Sequence, residues 1–131
     1  MLRALLIDPS RFQRSVIASV FVRRNVEMYL VQARQAEEQG KTDQALQYYT
    51  QYVEFSRGIG QAEQGTQARR LEAINRIAVL VAEQPESRGQ IDRLFRTYEE
   101  SLRLDPSQRD VRRKLVTLLM RMGRSTDARS H

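Results

Sequence analysis

A short segment in the first half of the chain returns near its end. Gln39-Gly40-Lys41-Thr42-Asp43-Gln44-Ala45 reappears as Met122-Gly123-Arg124-Ser125-Thr126-Asp127-Ala128, with a small residue five positions after each glycine. Gly89 lies 34 residues before Gly123 and carries Leu94 at that same offset. Each glycine sits between two helical patterns, and a 34-residue period of paired helices is the signature of a helical repeat array. One such unit cannot bury its apolar face alone, so the pattern demands stacked neighbours.

The rest of the chain supports helices throughout. Asp8-Pro9-Ser10 is a helix start, with Ser10 and Gln13 in a capping-box pattern. Val16, Ile17, Val20, Phe21 and Val22 follow at helical spacing. Either one helix runs from Ser10 to Gln39, or two meet near Arg23-Arg24-Asn25. Val26, Tyr29, Leu30, Ala33 and Ala36 make one helical face that ends at Gly40. Thr42 or Asp43 is expected to cap the next helix, whose broad apolar face holds Ala45, Leu46, Tyr48, Tyr49, Tyr52, Val53 and Phe55. These aromatics, with Phe95 and Tyr98, are expected in the core.

Gly58, Gly60 and Gly65 mark a connector. A third helix begins near Thr66, carries Leu71, Ile74, Ile77, Ala78 and Val81, and stops at Gln84 before Pro85. Ser87 with Gln90 repeats the capping-box pattern, and a fourth helix follows through Ile91, Leu94, Phe95, Tyr98, Leu102 and Leu104. Asp105-Pro106-Ser107 ends it. A fifth, with Val111, Leu115, Val116, Leu118, Leu119 and Met122, runs to Gly123, and a last one begins near Ser125. No segment alternates as a strand would, so the chain reads as all-α.

The net charge of +6 is unevenly placed. Residues 1–25 hold Arg3, Arg11, Arg14, Arg23 and Arg24 against Asp8, while residues 26–131 are nearly balanced. The chain therefore divides into a basic N-terminal helical segment, 1–25, and a helical repeat domain, 26–131. No window approaches the roughly 20 apolar residues of a membrane span, and no cleavage site follows Val16–Val22. A cytoplasmic location is the expectation. The arginine-rich, acid-poor start also has the composition of an organelle transit peptide.

Chemistry is sparsely provided for. There is no cysteine, and the single histidine is the final residue, His131. Cysteine–histidine and serine–histidine catalysis lack their parts, and zinc would have to rest almost wholly on carboxylates. Gly58-Ile59-Gly60 with Gly65 does not form a dinucleotide fingerprint, because the third glycine is misplaced and no strand precedes it. Glu37-Glu38 and Glu99-Glu100 are adjacent on helices and point apart. Neither an enzyme nor a cofactor is expected.

The packing positions resemble the tetratricopeptide repeat family over roughly residues 26–131. In the first unit, about Val26 to Ile59, Tyr29 stands at the bulky early position. Ala33 and Ala45 stand at the small positions of the two helices, and Tyr49 at the aromatic one. Tyr52 and Arg57 depart from the alanine and proline usual there. A middle unit matches through Gly89, Tyr98, Ser101 and Leu104-Asp105-Pro106. The last unit has Leu115, Val116, Leu119, Gly123 and Ala128. Gly40 and Gly89 are 49 residues apart, which places about 15 extra residues in the 57–73 region.

The resemblance implies antiparallel helix hairpins stacked as an α-solenoid, preceded by an amphipathic N-terminal helix. It also implies a protein or peptide partner on the concave face made by first helices. The positions implied are Glu27, Leu30, Arg34 and Glu37 in the first unit, and Asp110, Arg113, Thr117, Met120 and Arg121 in the last. Arg113 and Arg121 suit an acidic partner. Members that clamp a peptide's C-terminal carboxylate use asparagines that this chain lacks at those positions. The last unit's second helix is cut short, which suggests either a fragment of a longer array or self-association that covers the open end with another copy. The second reading is contact with a membrane surface or nucleic acid by basic residues 10–24, with Val16, Ile17, Val20 and Phe21 as an interfacial stripe.

Overall fold

A computed structural model of the chain describes residues 26–57 and 65–123. The expected helix through 10–25, with its capping box and apolar stripe, lies outside the described residues. So do the Gly58–Gly60 part of the connector and the helix expected from Ser125. Within the described residues there are five helices and no strand. They are α1 (residues 26–38), α2 (Thr42–Ser56), α3 (Thr66–Ala82), α4 (Arg88–Leu104) and α5 (Arg109–Arg121).

Local chemistry sets the helix ends. Gly40 adopts φ +74°, open to glycine and costly to other residues. That conformation lets Lys41 N donate to Ala36 O at 2.8 Å and Gly40 N to Glu37 O at 3.1 Å, the paired bonds of a Schellman motif. α2 then starts at Thr42 with Lys41 in the capping position and no side-chain cap. The expected cap by Thr42 or Asp43 is therefore absent. Asp43 instead lies in the first turn, where its charge complements the helix dipole.

α3 ends at Ala82, two residues before the position suggested by Pro85. Ser87 caps α4 as expected, accepting from Gln90 N at 3.1 Å. The reciprocal half of the box does not form. Gln90 Nε2 donates across to Val81 O at 2.9 Å and so ties the start of α4 to the end of α3. Between α4 and α5, the Asp105 carboxylate accepts from Ser107 N at 3.0 Å and Ser107 Oγ at 2.6 Å, closing an Asx turn.

Polar contacts give the helix directions. Tyr29 stacks on Phe55 while Tyr49 bonds Glu37, so α1 and α2 are antiparallel. Gln90 meets Val81 while Ser101 meets Asn75, so α3 and α4 are antiparallel too. Alternate helices run the same way. Glu27 pairs with Arg69 and Glu37 with Arg76 between α1 and α3, and Thr50 meets Arg93 and Glu100 meets Arg57 between α2 and α4. Consecutive helices from α2 to α5 pack on one another in chain order.

The core follows the apolar stripes. Leu30, Tyr49, Tyr52, Ile74, Val81, Leu94, Leu115 and Leu119 are all buried in one cluster. Ala33, Ala45, Ala73 and Ser101 have no exposed surface, as small residues must where helix backbones approach closely. The aromatic set of α2 divides, however. Tyr49 and Tyr52 are core, Tyr48 is half-buried, and Phe55 is 47% exposed against the expectation. Phe55 covers Tyr29 on the surface with ring centres 5.5 Å apart. Phe95 is half-buried and Tyr98 buried.

Candidate functional site

Of the residues proposed from the first unit, Arg34 and Glu37 line a shallow recess with Tyr49, Glu72 and Arg76, and Leu30 is not part of it. Leu30 is 1% exposed and belongs to the core, which corrects its assignment to partner contact. It sits on the same stripe as Val26, Ala33 and Ala36, and that stripe is buried along the described length of α1. Glu27, Arg34 and Glu37 lie beside it and meet α3. Glu27 Oε1 accepts from Arg69 Nε at 3.1 Å, Glu72 Oε2 from Arg34 Nη2 at 2.7 Å, and the Glu37 carboxylate from the Arg76 guanidinium. These charges are engaged within the chain.

Glu37 also accepts from the phenol of Tyr49 at 2.8 Å. Burial pushes the Glu37 carboxyl up, but the bonds from Arg76 and Tyr49 outweigh it and hold it below its usual value. This contribution is present at neutral pH and is lost as the pH falls through the lowered value. Tyr49 moves the other way. Burial first, then the bond to the Glu37 carboxylate, push its phenol up to about 12 from 10.0.

That shift predicts an alkaline instability. Above pH ~10 the unfolded chain sheds the Tyr49 proton while the folded chain keeps it. The stabilisation is complete below that point and declines by roughly 2 kcal/mol as the pH approaches 12. Denaturant unfolding of Tyr49→Phe over this range should show a shallower decline than the wild type. Equal slopes would mean that the phenol does not carry the effect.

The last unit's residues come together differently. Arg113, Thr117 and Arg121 lie one turn apart on α5 and line a groove of about 490 Å³ between α5, the start of α4 and the end of α3. Ile91, Leu94, Tyr98 and Leu118 supply its apolar surface, and Lys114 adds a third cation. Glu86, on the opposite wall, accepts from Arg121 Nη2 at 2.9 Å. Three cations against one carboxylate leave the rim positive. Tyr98 is buried at the base, and burial raises the pKa of its phenol. Met120 is 61% exposed beside this groove, and Asp110 is exposed in the first turn of α5.

One cluster escapes a reading by periodicity. Asn75 of α3, Ser101 of α4 and Gln108 at the start of α5 form a closed polar triad. Ser101 Oγ donates to Asn75 Oδ1 at 2.5 Å, and Asn75 Nδ2 donates to Gln108 Oε1 at 2.9 Å. Gln108 Nε2 returns to Ser101 Oγ and Ser101 O, each at 3.0 Å. The triad ties the start of α5 to α3 and α4. The available signal is a lone asparagine beside the apolar stripe of Ile74, Ile77 and Ala78.

Among the described residues no cluster of histidine and carboxylates could hold a metal ion, and no helix is long and apolar enough to cross a membrane. No family model matches the chain, and no curated protein matches it.

Proposed function

We propose that this chain is a non-enzymatic interaction scaffold with a tetratricopeptide-like array of helix hairpins, and that its α3–α5 groove holds an acidic peptide segment of another protein. The observation that carries the reading is the groove itself. Arg113, Thr117 and Arg121, singled out by the resemblance, line an apolar trough with a positive rim. The opposed directions of α1 and α2, and of α3 and α4, support stacked hairpins.

In this reading an apolar side chain of the peptide enters between Leu94, Tyr98 and Leu118. Flanking carboxylates meet Arg113 and Arg121, whose guanidinium forks suit bidentate pairing. Burial supplies most of the affinity, and charge supplies selection and speed of encounter.

Selection of displayed peptides on the full chain, followed by fluorescence anisotropy, tests this. The expected winners carry aspartate or glutamate around an apolar anchor. An Arg113→Glu, Arg121→Glu variant that keeps its helical circular dichroism should bind them at least ~10-fold more weakly, as two charge-assisted contacts become repulsions. Equal affinity for the variant would remove the groove from the proposal.

A further inference from the structure

A second recess lies on the other side of α4, away from the peptide groove. Arg93, Arg96, Glu100 and Arg103 fall along one stripe of that helix, each about one turn from the next. Arg57 from the end of α2 and Arg70 from the start of α3 complete a recess of about 730 Å³. Five arginines thus face two carboxylates, Glu99 and Glu100.

The ion-pair inventory makes the imbalance sharper. Glu100 Oε1 accepts from Arg57 Nη2 at 2.7 Å, which neutralises Arg57. Arg93 Nη2 donates to the neutral Thr50 hydroxyl at 3.0 Å, and Arg96 Nε to the Asp92 carbonyl at 3.3 Å. Arg70 Nε is buried and has no hydrogen-bond partner among the described residues. Among the described residues, Arg70, Arg93, Arg96 and Arg103 have no ionic partner. By contrast, Arg34, Arg69, Arg76 and Arg121 each have a carboxylate partner. Gathering like charges in one recess is unfavourable for the empty protein, and an unpartnered buried donor adds to that cost.

We propose that this recess binds a small anion carrying two adjacent phosphoryl groups. Four guanidinium groups without a carboxylate match two phosphoryl groups, each taken by a pair of forks. The described lining has one apolar residue, Leu104, and no aromatic ring on which a base would stack. Glu99 and Glu100 at one side oppose a long polyanion running through. The recess therefore suits a compact diphosphate better than a nucleic-acid strand. This site is independent of the peptide groove and stands whether or not that groove binds peptide.

Isothermal titration of the full chain with inorganic pyrophosphate tests it, with orthophosphate as the single-phosphoryl comparison. Pyrophosphate should bind about 10-fold more tightly than orthophosphate, and the affinity should fall as salt is raised. An Arg96→Gln, Arg103→Gln variant should lose at least ~10-fold in affinity, and Arg70→Gln should lose a comparable factor. Arg109→Gln with Arg112→Gln, both exposed on α5 and outside either recess, removes the same charge elsewhere and should change affinity less than about twofold. Circular dichroism confirms that each variant is folded. Absence of binding at millimolar pyrophosphate overturns the proposal, as does equal loss in the Arg109–Arg112 control. A short oligothymidylate that binds more tightly than pyrophosphate through the same arginines overturns the choice of ligand.

Discussion

Leu30→Ala should lower unfolding free energy by about 3 kcal/mol, within the range for truncating a buried leucine. Leu30 is almost wholly enclosed by the shared core, so its loss leaves a cavity that the helices can only partly close. Arg34→Ala, one turn further along α1, should cost below ~1 kcal/mol, because the Arg34–Glu72 pair is exposed on both sides. Urea unfolding with a fitted slope separates the two. The contrast also decides a functional question. A residue reserved for a partner would tolerate truncation in the isolated protein, whereas a core leucine would not. A Leu30→Ala protein as stable as the wild type would return Leu30 to the surface.

Asn75→Ala should cost about 2 kcal/mol, although Asn75 is itself only part-buried. The change removes two side-chain hydrogen bonds and leaves the fully buried Ser101 hydroxyl without its acceptor. Gln108 Oε1 also loses its donor at the start of α5. The effects should not add. Ser101→Ala in the wild type and in the Asn75→Ala background should differ by roughly 1 kcal/mol or more, the mark of residues acting in one network. Amide hydrogen exchange gives a second readout, with protection lost first at the beginning of α5. An additive double-mutant cycle would falsify the triad as a unit.

The helices themselves were legible because their signals are local. Gly40 needs only its own backbone to end α1, and Ser87 needs only Gln90 N. The small positions Ala33, Ala45 and Ser101 were legible for a related reason, since close helix crossings admit little else. Exposure was harder. Periodicity identified the stripe containing Leu30 but not how many neighbours would cover it. It placed Phe55 with Tyr49 and Tyr52 on one face, whereas Phe55 lies at the margin of that face and closes over Tyr29.

The candidate sites were legible in part. Arg113, Thr117 and Arg121 share a helix face by spacing alone, and the fold gives that face a trough. The Arg57, Arg70, Arg93, Arg96 and Arg103 recess draws on three helices, and no window of sequence brings them together. Asn75 reaches Ser101 across 26 positions and Gln108 across 33, so their meeting is a tertiary fact.

The charges between α1 and α3 carry one more implication. Their signs alternate along each helix, negative at Glu27, positive at Arg34, negative at Glu37, and are answered by Arg69, Glu72 and Arg76. Slipping one helix past the other by a turn would set Glu27 against Glu72 and Arg34 against a second arginine. Exposed pairs of this kind add little to strength, but such a misaligned stack would be repelled. Their worth lies in discrimination, telling a chain of interchangeable amphipathic helices which alignment to keep.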